Sequence, residues 1–146
     1  MIIEKASPKF INEIVSSFIA SFSDWGATSA RKYLTQTYEA CPDCCLVAIN
    51  DNREVMGAIF CKISPYNKGK MLLVESLQIK KEHRNQKVGT RLMREIGKIA
   101  KKKRIAHIGL MSSKLSKYPF CWFQELGFKE TGWVEMAVQT ENLKTT

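Results

Sequence analysis

The sequence predicts a mixed α/β fold: a mostly antiparallel central sheet of six to seven strands with helices on both faces. Three observations predict it. Two stretches carry apolar residues at helical spacing, and short apolar runs lie between and after them. Turn-forming residues separate consecutive runs in the middle of the chain, which is the pattern of hairpins. The last part then reads strand, helix, strand, which requires a crossover. Its 146 residues are about one domain of chain, enough to bury a core. Residues 1–146 are therefore read as a single domain, with 140–146 as a frayed tail.

Ile2 to Ala6 forms a short first strand. Ser7-Pro8 then reads as an N-cap with proline at the first helical position. Ile11, Ile14, Val15, Phe18, Ile19 and Phe22 fall on one helical face, with Asn12, Glu13, Ser16 and Ser17 on the other. Gly26 breaks that pattern. Thr28 to Glu39 is a second helix, with Tyr33, Leu34 and Tyr38 as its apolar positions. CCLVAI (44–49) is a strand, Asp51-Asn52 a turn, and Glu54 to Ile63 the returning strand. A second turn, Pro65 to Gly69, leads into the strand Lys70 to Ile79 and then the polar loop KKEHRNQK (80–87). Val88, Leu92, Ile96 and Ile99 define the next helix, whose other sides carry Arg91, Arg94, Lys98, Lys101 and Lys102. Ile105 to Met111 is a strand. Pro119 to Leu126 is a short helix stopped by Gly127, and Phe128 to Val138 supplies one or two last strands.

Apolar residues at 45% and charged residues at 25% give the balance of an ordinary globular protein. The opening MIIEKASPKF lacks the basic-then-apolar pattern of a secretion signal, and no apolar run approaches the roughly 20 residues that cross a bilayer. A soluble cytoplasmic protein without a membrane partner is expected, as a monomer or a homodimer. The five cysteines are odd in number, so a disulfide framework is not expected. CPDCC (41–45) holds one C-x-x-C, half of a metal site whose other half is missing; His83 and His107 form no H-x3-5-H pair. Packed thiols and no metal are the expectation. The formal charge of +9 asks for an anionic partner: nucleic acid, acidic lipid or a polyphosphate cofactor.

The junction Ile79 to Leu92 chooses among these. A helix starting right after a strand presents unpaired backbone N–H groups and the positive end of its dipole, which together bind anions. Arg84 and Lys87 add full charges, and Gly89 lets backbone approach a ligand closely. There is no G-x-x-x-x-G-K-S/T and no G-x-G-x-x-G, so a Walker loop and a Rossmann fingerprint are excluded. The basic helix face has no interleaved aromatic residues for stacking bases, so a solvated face is preferred to a nucleic-acid surface.

The stretch LQIKKEHRNQKVGTRLMREI (77–96), followed by CWFQELGF (121–128), resembles the GNAT superfamily of N-acyltransferases. That family's loop opens on Arg or Gln, carries a glycine three residues on, and closes on Gly or Ala two residues later. Here it is Arg84-Asn85-Gln86-Lys87-Val88-Gly89, with Lys87 where the family usually has its first glycine. Trp122 to Phe128 resembles the family's F-Y-x-x-L-G-F. The resemblance implies acetyl-CoA as co-substrate and an amine acceptor. It implies that Arg84, Asn85, Gln86, Lys87, Val88, Gly89 and Thr90 hold the pyrophosphate. It further implies that the backbone of Leu77, Gln78 and Ile79 pairs with the pantetheine arm, and that Ser116 and Phe123 lie near the cofactor.

Glu75 is the candidate general base. Strict alternation puts Met71, Leu73, Leu77 and Ile79 on one strand face with Glu75 among them. A lone carboxylate on an apolar face is costly as an anion, so its pKa is expected to rise, which suits proton abstraction from an ammonium. The competing reading is a glutamate at the sheet edge paired with a lysine. Many family members protonate the leaving thiolate with a tyrosine, and here that place is Phe123, which cannot donate. Tyr118 is the nearby alternative donor, although it precedes Pro119 and lies just outside the helix. Cys121 reads as a packed thiol, His83 as a surface contact and His107 as structural. The resemblance would have Trp25, Tyr33 and Trp133 line an acceptor pocket; the competing reading of each is ordinary core or rim. The first reading is an acetyl-CoA-dependent N-acetyltransferase and the second a non-catalytic CoA-binding or interaction module on the same fold; a third and weaker one, a basic nucleic-acid binder, would show a steep salt dependence of binding.

Overall fold

The computed structural model describes residues 1–145. Its contacts divide the chain into two compact units, Met1–Met111 and Ser112–Thr146. The first unit holds β1 (Ile2–Lys5), α1 (Ile11–Ser21), α2 (Ala27–Ala40), β2 (Cys45–Ile49), β3 (Val55–Tyr66), β4 (Gly69–Ile79), α3 (Val88–Lys102) and β5 (His107–Leu110). The second holds α4 (Lys117–Glu125) and a 3-10 turn at Thr140–Asn142, and Thr146 of the expected tail lies outside the described residues.

The sheet has five strands in the order β1-β2-β3-β4-β5, antiparallel except for the β4–β5 pair. That corrects the expected six to seven. Among the described residues no strand forms over 128–138. A strand is stabilised by a partner ladder and a buried face. Here Trp133, Val134 and Met136 stand exposed, so their apolar character gains nothing from extended pairing.

β2 is buried at every position because layers cover both faces of the sheet. One face meets α1 and α2 in a cluster that includes Phe10, Ile14, Phe18, Leu34, Val47, Ile49, Ala58 and Phe60. The other carries Ile59, Cys61 and Leu72, together with Val88, Leu92, Met93, Ile96 and Ala100 of α3. Two helix faces differ slightly from expectation. Ser17 is buried, being small enough to sit beside Phe18 on the inner side of α1. On α3, Met93 and Ala100 are buried while Ile99 is half-buried, because the row 92, 96, 100 points straight at the sheet. Ser7 and Pro8 take the N-cap and first helical positions as expected, but of a 3-10 turn, Pro8–Phe10, that leads into α1, and the Ser7 hydroxyl makes no capping bond.

β3 runs through Pro65 and Tyr66, so the β3–β4 turn is only Asn67-Lys68, closed by the Tyr66–Gly69 pair. Gly57, opposite Ile79, allows a close approach: a Cβ there would lie 2.8 Å from the Gln78 carbonyl oxygen and 2.7 Å from Ile79 Cδ1. Backbone cannot yield cheaply. Gly57→Ala is therefore expected to cost about 1–3 kcal/mol, the usual penalty of overpacking, read as a lower denaturant midpoint.

α4 ends as the sequence indicated. Leu126 caps it and Gly127 follows at φ +103°. The Gly127 N–H bonds to Gln124 O and the Phe128 N–H to Phe123 O, while the rings of Phe123 and Phe128 meet at 5.9 Å. This is a Schellman motif with its hydrophobic contact.

Candidate active site at the open edge of β4

The β4–β5 ladder pairs Met71–Val74 with His107–Leu110 and stops there. On that side, the part of β4 from Glu75 to Ile79 has no strand beside it among the described residues. On the other side it stays paired to β3. The Lys80 N–H bonds to Met56 O, toward β3. Strand alternation then turns the backbone groups of Leu77 and Ile79 to the open edge, with those of Gln78 directed at β3. The Arg84 Nε–H, bonded to Ile79 O at 3.2 Å, agrees with that direction. The four steps from Glu75 to Ile79 span about 13 Å, and along this track both backbone groups of Leu77 and the Ile79 N–H face the side with no partner strand.

The track leads into the loop. A 3-10 turn at Lys81–His83 precedes Arg84, Asn85, Gln86 and Lys87, all exposed. Asn85 and Lys87 both adopt φ +63°. Asparagine tolerates this region; lysine pays about 1–2 kcal/mol relative to its ordinary conformation. The requirement explains why a glycine suits position 87. A left-handed residue against a helix start also turns successive N–H groups toward one centre, which favours an anion. Lys87 is the N-cap of α3 and makes no side-chain cap, and the first helical bond is Arg91 N–H to Lys87 O at 3.0 Å. The N–H groups of Val88, Gly89 and Thr90 therefore open the helix without intrahelical partners. Val88 is buried and anchors the turn, while Gly89 and Thr90 are half-buried.

Glu75 sits at the head of the track, and its setting differs from the expectation. The register runs Phe60–Ser76 and then Cys61–Val74, leaving Glu75 as the extra residue of a β-bulge. Partners across a ladder share a face. Leu77 and Val74 pair with Ile59 and Cys61, two apart on β3, and so lie on one face; Ser76 and Leu73 pair with Phe60 and Lys62 and lie on the other. The bulge thus separates Leu73 from Leu77, and Met71, Leu73, Leu77 and Ile79 do not share a face. Nor is Glu75 a lone carboxylate. Its Oε1 is 2.8 Å from Lys62 Nζ, and its Oε2 accepts the Tyr33 hydroxyl at 2.5 Å. Its side chain is 15% exposed and that of Lys62 45%, so the pair sits at the margin of solvent.

Tyr33 comes from α2 and stacks against Trp25 at 5.2 Å and Phe18 at 6.0 Å. Burial first, and then the bond to Glu75, push its phenol far above the usual range, so it remains a donor to the carboxylate at any neutral pH. Sequence reasoning left Tyr33 between an acceptor-pocket lining and ordinary core or rim, and it weighed a lysine partner for Glu75 without singling out Lys62. The signal for Lys62 was a single cation interrupting the otherwise apolar run of β3.

Gln78 is buried; its Nε2 donates to Ser76 Oγ at 3.0 Å while its Oε1 has no partner. In the second unit, Ser116 is the N-cap of α4 and its Oγ donates to Tyr118 O at 2.9 Å. Tyr118 is exposed and non-helical, as its place before Pro119 suggested. Phe123 lies against Trp122 and Phe128. Burial pushes the Cys44 and Cys45 thiols up to about 12 and Cys61 higher still, so they pack as neutral groups. His107 opens β5 against the Tyr66 ring. Among the described residues no group of three or more His, Cys, Asp or Glu is placed to hold a metal, and no helix is long and apolar enough to cross a membrane.

A family model described as "Acetyltransferase (GNAT) domain" matches residues 42–130, which run from β2 through α4 and include the open edge, the loop and Glu75. The chain belongs to the GNAT family of acetyltransferases. No curated protein matches the sequence. Among solved structures, an aminoglycoside antibiotic 6'-N-acetyltransferase from Acinetobacter haemolyticus is 18% identical, with 96% of this chain and 99% of that one covered and a TM-score of 0.77. A structure described as a predicted acetyltransferase with acetyl-CoA, from Clostridium acetobutylicum, is 17% identical over 93% and 95% of the two chains, with a TM-score of 0.74. AAC(6')-Iy, in complex with the bisubstrate analogue CoA-S-monomethyl-acetylneamine, is 15% identical over 94% and 97%, with a TM-score of 0.77. At these identities the likeness to this GNAT chain is one of fold.

Proposed function

We propose that this GNAT chain transfers the acetyl group of acetyl-CoA to a primary amine of a small molecule or protein by direct attack, with Glu75 as general base. The observation that carries the reading is the open edge of β4. It joins an uncapped, cation-flanked helix start to a carboxylate at the other end of one track. Acetyl-CoA fits that layout and supplies an activated thioester. Val88, Gly89 and Thr90 offer N–H groups to the pyrophosphate, with Arg84 and Lys87 as full charges beside it. Leu77 and Ile79 offer backbone groups to the amides of the pantetheine arm, as a strand would to its neighbour. Glu75 then stands where the thioester end of an extended arm falls, and takes the proton that an ammonium must lose before it can attack. The two neighbours named for a CoA analogue and for acetyl-CoA support acetyl-CoA as the co-substrate.

A second reading, a non-catalytic CoA-binding module, draws on the Lys62 pair, which occupies one oxygen of Glu75. Both readings require binding, so binding is tested first. Acetyl-CoA is expected to raise the Tm by mass action, and a pyrophosphate-free analogue to do less. Gly89→Val should reduce the shift, because added bulk crowds the helix start where phosphate oxygens approach. No shift at millimolar acetyl-CoA sinks both readings. An amine-acceptor screen read out as free CoA thiol then separates enzyme from module.

A further inference from the structure

We infer that Lys62 is itself an acceptor: the chain acetylates its own Lys62 Nζ. The inference rests on the acetyl-transfer reading above and on the arrangement around Glu75. An acceptor amine has to satisfy two conditions. It must lie within hydrogen-bond reach of the base, about 2.6–3.2 Å, and it must stand at the head of the open edge, where the thioester lies. Lys62 Nζ is 2.8 Å from Glu75 Oε1 and meets the first; the second follows from the placement of the thioester beside Glu75 proposed above. The register brings it there. Lys62 pairs with Leu73, two residues before Glu75, and the bulge turns Glu75 to the same face. Tyr33 holds the other oxygen, so Oε1 is the one left for an amine. The 45% exposure of the Lys62 side chain leaves it free to move and gives the released proton a route to solvent.

The step balances without a further reagent. The Lys62 ammonium gives one proton to the Glu75 carboxylate, which later returns it to solvent. The freed amine attacks the thioester carbonyl carbon. An amide C–N bond forms, the C–S bond breaks, and the second nitrogen proton leaves with the CoA thiolate as free thiol. The products are Nε-acetyl-Lys62 and CoA. The other paired lysines differ in place. Lys80, bonded to Glu13 at 3.0 Å, lies at the loop end of the same edge, away from Glu75, and serves as an internal control.

Purified protein is incubated with acetyl-CoA alone at neutral pH and followed by intact mass and peptide mapping. The expected result is one added acetyl group of about 42 Da per chain, mapped to Lys62. Its rate should be independent of protein concentration, as an intramolecular transfer requires. Lys62→Arg should abolish it, and Glu75→Gln should slow it about 10²-fold or more. Acetylation spread over many exposed lysines and unaffected by Glu75→Gln would overturn the inference, as would an unmodified Lys62. The same preparation is checked for an acetyl-CoA-dependent Tm shift and for acetylation of an added amine. If both occur and Lys62 stays unmodified, self-acetylation alone fails. If neither occurs, the acetyl-transfer reading fails with it.

Discussion

Glu75→Gln is expected to keep acetyl-CoA binding and lower turnover about 10²–10⁴-fold, the usual worth of a positioned general base. The substitution is conservative where it needs to be. Glutamine retains an oxygen that accepts the Tyr33 hydroxyl, so the local packing of α2 on the bulge survives. What it removes is the capacity to take a proton, together with the charge that faces Lys62. Lys62, at 45% exposure, stays solvated when the facing charge is lost, and the denaturant midpoint of the variant, measured alongside, separates lost activity from unfolding. The pH dependence carries the sign. An alkyl amine with a pKa of about 10.4 is almost wholly ammonium at pH 7 and needs a base. As pH rises toward that value free amine becomes abundant, and the deficit of the variant should shrink. Steady-state kinetics with a verified acceptor across pH 7 to 10 measures it. A variant with full turnover at pH 7 would make Glu75 structural.

The parts of this molecule that the sequence made legible are those encoded by local periodicity. α1, α2, α3 and the β2–β3–β4 meander follow from apolar spacing and turn residues, and the end of α4 follows from Gly127 alone. The bulge at Glu75 was not legible, for a physical reason. The β4 sequence alternates without a break from Met71 to Ile79, and the change of face arises only because Phe60 and Cys61 of β3 skip one partner. The same holds for the partners of Glu75. Lys62 and Tyr33 reach it across the sheet and from 42 residues away, through contacts that no local pattern records. Lys87 was visible as a departure from a family motif; its meaning, a left-handed backbone, needed the structure. The missing last strands show the converse limit. The alternating residues of 128–138 satisfy a strand pattern, but a pattern does not supply a partner.

Phe60→Ala is expected to produce the largest loss of stability, about 3–5 kcal/mol, because it removes a ring and leaves a cavity that its neighbours fill only partly. Phe60 is fully buried in the cluster formed by α1, α2, β2 and β3, among side chains such as Phe18, Leu34 and Val47. Its position makes the loss more than a matter of core volume. It pairs with Ser76, the residue next to Glu75, at the step where the register shifts. The ring therefore fixes the strand on which the bulge is built and the α2 face that delivers Tyr33. Chemical denaturation should show a lower midpoint with an unchanged slope, the signature of altered stability with the same surface exposed. Because ligand binding and folding are linked, acetyl-CoA at about 100 times its Kd should restore about 2.7 kcal/mol if the folded variant still binds normally. A smaller recovery would show that the displaced bulge has also damaged the open edge, and a full recovery would confine the role of Phe60 to the core.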